Sequence, residues 1–161
     1  MLWILVGVLA VHFVQCSWLE LMNTGGIPRS VVFPEVATPT PDEWIRFMFT
    51  AAGTPARPRF LFTVNRTCTL QLVDLNCAGD RFVLHEAQGL LGKPIKSTPT
   101  IGDECDTVKS DPNEAFDDPG QRWSRATSEL VAGQQYNITI LVDASPLRAG
   151  IGAVRISCPS I

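Results

Sequence analysis

The amino-acid sequence predicts an all-β domain, a β-sandwich of the jelly-roll type with a long loop tethered by a disulfide bond. Glycine and proline are both frequent, at 12 each in 161 residues, and such frequent turn residues favour short strands over long helices. Several short segments alternate apolar and polar residues with the period of two that a half-buried strand shows. Five cysteines at wide spacings point to disulfides, because zinc sites use closely spaced ligand pairs.

The first sixteen residues have the pattern of a signal peptide. Residues 2–14 are apolar except for His12, which is too short for a bilayer core of about 20 residues but suits a signal-peptide core. Cleavage after Cys16 leaves four cysteines, an even number that suits two disulfides in an oxidising compartment. A buried N-terminal helix is the alternative interpretation. We therefore expect a secreted, extracellular protein without a transmembrane segment, divided into signal peptide (1–16), N-terminal extension (17–42) and β-sandwich domain (43–161).

Each strand is predicted from its own alternation. In residues 43–50, Ile45, Phe47 and Phe49 alternate with more polar neighbours; a helix-capping pattern at 40–43 competes, but the aromatic and β-branched content favours a strand. Residues 123–130 are ambiguous, and a long polar loop is expected over 97–122. The other predicted strands are 65–74, 81–85, 136–142 and 152–158, with a turn at 75–80.

The cysteines fall at positions that suggest a pairing. Cys68 and Cys158 point inward on predicted strands near the two ends of the sandwich, so we expect them to pair. Cys77 would then tether the long loop through Cys105. Four cysteines allow three connectivities, and the other two stay open.

Two glycosylation sequons begin at Asn65 and Asn137. Both asparagines fall on the polar face of a predicted strand, where an attached glycan would face water. The sequons therefore agree with the strand phases and with a secreted glycoprotein.

Five motifs follow one another over residues 60–158: a D-x-x-C-x-G-D-x-F turn, a D-P-x-x-A loop, a W-S step, an L-x-x-G-x-x-Y-x-I-T-I strand and a Gly-rich approach to the last strand. This ordered set resembles a family of secreted β-sandwich proteins, found as fungal extracellular and bacterial exported proteins. The resemblance implies a jelly-roll fold and export, and it implies no activity.

Acidic residues are the candidates for a metal site. Carboxylate oxygens are ligands that Ca²⁺ uses, although the regular EF-hand loop is absent. We expect the turn after the Cys68 strand and the long loop to lie side by side, with Ca²⁺ as the candidate cofactor. Nearby arginines (Arg81, Arg122 and Arg125) or plain solvation are the alternatives to a metal. The candidate metal ligands are Asp74, Asp80, Asp111, Glu114 and Asp117.

Two tryptophans, Trp44 and Trp123, are candidates for stacking on a sugar ring, although a buried core position is the more common use of tryptophan. After signal-peptide cleavage only His85 remains among the histidines, which leaves few options for a catalytic triad.

The charge balance is mild, with 13 basic against 16 acidic residues, and the sequence has no clustered basic run of the kind that nucleic-acid binding normally needs, so we expect no nucleic-acid partner. The sequence therefore favours a secreted, non-enzymatic binding or surface module, with an extracellular glycan or protein as partner. The alternatives are a polysaccharide hydrolase that uses a carboxylate pair and a structural extracellular protein.

Overall fold

The computed structural model describes residues 34–76, 78–98 and 109–159. In these ranges the regular secondary structure is almost entirely β-strand, arranged in two packed sheets. The elements in chain order are β1 (Val36–Ala37), β2 (Ile45–Phe49), β3 (Arg59–Thr63), β4 (Cys68–Asp74), β5 (Arg81–Glu86), β6 (Ile95–Lys96), helix α1 (Pro112–Phe116), β7 (Arg125–Leu130), β8 (Gln135–Ala144) and β9 (Gly150–Ser157).

The strand order confirms the predicted jelly roll. The five-stranded sheet has the order β1-β3-β8-β5-β6 and the four-stranded sheet the order β2-β9-β4-β7. Among the last eight strands, antiparallel pairs join β2 to β9, β3 to β8, β4 to β7 and β5 to β6. This nesting, in which the first strand pairs with the last and the second with the second-last, is what results when one long hairpin rolls up into two sheets.

The core lies between the sheets and is built from the apolar residues that the alternation of each strand places on its inner face. Phe47 and Phe82 meet edge to face, with ring centroids 5.4 Å apart, and Phe49 also contacts Phe82 at 5.8 Å. Leu70, Leu72 and the inner residues of β8 and β9 fill the space around these rings.

Most of the predicted strands are present, with shifted ends. The strand interpretation of 43–50 is confirmed, with Phe47 and Phe49 buried. The strand that was expected to begin at residue 65 begins at Cys68. Asn65 therefore lies in the preceding turn, not on a strand face, and it is exposed. The sequence analysis missed β3, and the ambiguous segment 123–130 contains β7.

The Cys68–Cys158 disulfide is confirmed, with Cα atoms 4.4 Å apart. Thr69 pairs with Ser157 in the ladder between β4 and β9, so the two cysteines stand directly opposite each other where that ladder ends. Cys77 and Cys105, the expected second pair, lie outside the described residues, as do the predicted signal peptide and the start of the predicted extension. The later part of that extension contributes β1 to the edge of the five-stranded sheet.

The segment expected to be one long polar loop contains the helix α1. Asp111 caps its N-terminus by accepting from the backbone N–H of Asn113 at 2.9 Å, and Pro112 occupies the first turn, both favourable at this position. The helix lies on the outer face of the four-stranded sheet, where Ala115 and Phe116 pack with Trp123. Within the described ranges, no helix has the length and apolar character needed to cross a bilayer.

Candidate functional site

The interior of the sandwich changes from apolar to polar at one end of the four-stranded sheet. Leu70 and Leu72 of β4 point into the core, and the next inward positions are Asp74 and Asn76. Leu75 continues the ladder because its N–H donates to the carbonyl of Ile151 at 3.1 Å. The alternation therefore carries on beyond the end of β4, and it places the Asp74 and Asn76 side chains on the inner face.

The neighbouring strand adds a third polar side chain to the same face. The backbone N–H of Asp74 donates to the carbonyl of Ser124 at 2.9 Å, and Leu72 pairs with Ala126. Ser124 therefore stands opposite Asp74, and cross-strand neighbours project from the same side of a sheet. Both residues are 0% exposed, and Asn76 is 3% exposed.

Asp80 reaches the same place from the opposite sheet, because it immediately precedes β5. It is also 0% exposed. A Cβ atom on Gly150 would stand 2.9 Å from Oδ2 of Asp80 and 2.5 Å from the ring of Phe49. Glycine at position 150 therefore leaves the space that the Asp80 carboxyl group occupies. We call Asp74, Asn76, Asp80 and Ser124 the interior polar cluster.

Most side-chain oxygens of the interior polar cluster lack a hydrogen-bond partner. Oδ1 of Asp74 accepts from the backbone N–H of Asn76 at 3.1 Å. Five other oxygens are buried without a hydrogen-bond partner: Oδ2 of Asp74, Oδ1 of Asn76, both carboxylate oxygens of Asp80 and Oγ of Ser124. Buried polar groups are nearly always paired, so this concentration of unpaired oxygens requires an explanation.

The pKa values of the two carboxyl groups are raised, as expected for buried groups with few hydrogen-bond donors. Burial raises the pKa of Asp74 well above its ordinary value, and the nearby Asp80 carboxylate raises it further. Burial also raises the pKa of Asp80, to about 7. The side chains of Ser145 and Asp74 partly offset that rise, but no donor reaches an Asp80 oxygen with hydrogen-bond geometry.

Apolar packing on the outer face covers this end of the sheet. Val73 and Leu75, which alternate with the cluster residues, point outward against Trp123 and Ala115. Trp123 is 2% exposed. Helix α1 and the residues around Trp123 therefore keep water away from the strands that carry Asp74 and Ser124.

The expectation that Asp111, Glu114 and Asp117 would join Asp74 and Asp80 in a metal site is wrong for the part of the chain that the structure describes. Within these ranges, no three His, Cys, Asp or Glu side chains are grouped as metal ligands would be. The loop carboxylates have local partners: Asp111 caps helix α1, and Glu114 pairs with Lys109 at 3.2 Å. Asp117 occupies the C-cap of the same helix.

The three arginines that were considered as neutralising partners of the acidic residues do not pair with Asp74 or Asp80 in the described structure. Arg122 pairs with Asp118 at 3.0 Å, and these hydrogen bonds hold the pKa of Asp118 below its ordinary value. Arg125 donates to the carbonyl of Phe116 at 2.6 Å. Arg81 is exposed at the start of β5. In the described ranges, neither Asp74 nor Asp80 forms an ion pair with a basic side chain.

The two tryptophans differ in exposure, and only the position of Trp123 argues against sugar stacking, because Trp44 is half-buried. Trp123 is buried. The guanidinium of Arg155 lies 4.4 Å from the ring centroid of Trp44, and Phe116 packs against the same tryptophan at 5.7 Å. Nε1 of Trp44 donates to Asn113 at 2.9 Å. Trp44 therefore fixes helix α1 to the sheet.

Asn76 and Ser124 were missed as site residues because neither forms part of a recognisable motif. The signal that could have found them is the alternation itself. Extending the phase of Leu70 and Leu72 by two more steps reaches Asp74 and Asn76. Polar residues at such positions, inside a predicted core, indicate a buried polar site.

No known family model matches the chain. A search of curated proteins likewise finds none that is significantly similar to it.

Proposed function

We propose that the chain is a secreted, non-enzymatic surface or binding module. The observation that carries the proposal is the complete burial of Asp74 and Asp80, the carboxyl pair that a hydrolase would need. A glycosidase brings its two carboxyl groups to the scissile bond from either side, with the sugar between them. Here both groups are 0% exposed, so a polysaccharide cannot enter between them.

The position of His85 also argues against catalysis by a triad. It lies on the outer face of the five-stranded sheet, where it pairs across strands with Thr139. Within the described ranges, no hydrogen bond joins the His85 imidazole to a carboxylate or a serine. In the described structure, no third residue therefore orients His85 as a general base, as nucleophilic catalysis requires.

The surface that remains for a partner is the outer face of the five-stranded sheet. The corresponding face of the other sheet is partly occupied by helix α1 and Trp44. On the five-stranded sheet, Asn137 pairs with Leu61, which is 37% exposed, and Lys96 stands beside Val83. The polar side chains of this face and the exposed Leu61 are available to contact an extracellular glycan or protein.

The sequon at Asn137 divides this proposal into two forms. If the asparagine carries a glycan, that glycan occupies the middle of the outer face and the chain acts as a surface or structural protein. If it does not, the face is free for a ligand. Mass spectrometry of the secreted protein, before and after removal of N-glycans, distinguishes the two forms. N-terminal sequencing of the same material should begin at or near Ser17.

The test of the proposal is an assay of soluble and insoluble polysaccharides for release of new reducing ends, run beside a glycan array. We expect no release above that of buffer. Binding on the array, where it occurs, should be unchanged in Asp80→Asn and altered in a variant of the outer face such as Thr139→Arg. Polysaccharide cleavage that is retained in the Asp143→Asn control and lost in Asp80→Asn would overturn the proposal.

A further inference from the structure

The interior polar cluster has the composition of a cation site. Its side chains offer several oxygen ligands: those of two carboxylates, one amide oxygen and one hydroxyl, with the hydroxyl of Ser145 beside Asp80. No lysine, arginine or histidine in residues 34–76, 78–98 or 109–159 forms an ion pair with it. Uncompensated charge inside a protein costs several kcal/mol, so these two carboxyl groups need either protons or a bound cation.

The Asn76 side chain is the feature that indicates a cation site and not only a pair of buried carboxyl groups. Its side chain is 3% exposed, and its amide oxygen has no hydrogen-bond donor. The alternation from Asp74 directs it to the same inner face, above Gly150, whose missing Cβ leaves room for Asp80. A buried amide oxygen beside two carboxylates is a ligand combination that calcium sites use.

A shared proton explains less of this arrangement. One proton between Asp74 and Asp80 would satisfy a single pair of oxygens and neutralise one of the two charges. It would leave the Asn76 amide oxygen and at least one carboxylate oxygen unpaired. A divalent cation neutralises both charges and binds several oxygens at once.

We propose that Asp74, Asn76 and Asp80 bind a Ca²⁺ ion between the two sheets, and that the ion fixes this end of the sandwich. Ca²⁺ accepts six to eight oxygen ligands at about 2.3–2.6 Å and tolerates irregular geometry. Ser124 and Ser145 are placed to complete the set together with backbone carbonyls or water. The proposal does not depend on what the outer surface of the protein binds.

The experiment is a thermal melt of the full secreted protein in chelator and in increasing Ca²⁺. Above the dissociation constant, each tenfold increase in Ca²⁺ should raise the melting temperature by a constant step. Mg²⁺ should give a smaller shift, because it demands a more regular octahedral site. An identical melt in chelator and in millimolar Ca²⁺ would overturn the proposal.

Variants assign the effect to the site. Asp74→Asn and Asp80→Asn should lose the Ca²⁺-dependent shift, whereas Asp143→Asn, which changes an exposed carboxylate on β8, should keep it. Loss of the shift in Asp143→Asn as well would contradict the assignment.

Asn76→Ala keeps both carboxylates and serves where the aspartate variants fold poorly. It should weaken Ca²⁺ binding at least tenfold by titration calorimetry. Terbium offers a direct readout, since Trp123 adjoins Ser124 and should sensitise luminescence of a bound Tb³⁺ ion. Unchanged affinity in Asn76→Ala together with no tryptophan-sensitised emission would overturn the proposed ligand set.

Discussion

Removal of the Cys68–Cys158 disulfide should lower the free energy of unfolding by about 3–4 kcal/mol. The bond joins residues 90 positions apart, and in the chain-entropy estimate a loop of about 100 residues gives roughly 4.7 kcal/mol, while measured disulfides typically give about 2–4. The Cα atoms stand opposite each other on adjacent strands, so the native fold accepts the bond without moving the backbone.

The assay is urea unfolding of the double variant Cys68→Ala/Cys158→Ala against the wild type. Paired alanines are preferable to a reducing agent, which would also act on any bond made by Cys77 or Cys105. Ser157→Ala, at the neighbouring half-buried position on β9, is the matched control and should change stability by less than about 0.5 kcal/mol. A loss below about 1 kcal/mol in the double variant would refute the loop-entropy argument for this fold.

Three further perturbations have definite expected outcomes. Gly152→Ala should cost about 1–3 kcal/mol in urea unfolding, because the new methyl group would overlap the ring of Phe47; stability equal to the wild type would contradict the packing described. Arg155→Lys should cost about 1 kcal/mol, since it loses the planar stack on Trp44; Arg155→Ala should cost at least as much, and no loss in either would argue against the stack. In chelator, the contribution of Asp80 to stability should fall between about pH 4 and pH 7, because native Asp80, with its pKa raised from 3.8 to about 7, holds a proton that the unfolded chain has released. The limiting slope is about 1.4 kcal/mol per pH unit, and an Asp80→Asn variant with the same pH profile as the wild type would rule out this source.

The sequence predicted the sandwich because its core strands alternate clearly. Leu70 and Leu72, or Ile138 and Ile140, are inward-facing residues that a polar neighbour separates, and this alternation is typical of a strand with one buried face. The strand β3 was missed although Phe60 and Phe62 alternate in the same way.

The candidate site was only half predictable. Asp74 and Asp80 could be chosen from their positions around a turn, but their burial depends on how the two sheets pack at this end, where Gly150 leaves room for Asp80. That packing is not visible in a local pattern, because it joins strands that are distant in sequence. Helix α1 also explains the position of Asp111: this residue, which composition alone suggested as a metal ligand, caps the helix N-terminus.

The position of β9 has a consequence for the order in which the protein can be assembled as it is synthesised. This last strand separates β2 from β4 in the four-stranded sheet, and β2 has its ladder with β9 alone. A chain emerging from its N-terminus therefore carries β2 without its sheet partner until almost the whole domain has been made. Pairings over such long sequence separations form slowly and leave strand edges open to other chains. We expect nascent chains that stop before residue 150 to remain unfolded and to aggregate.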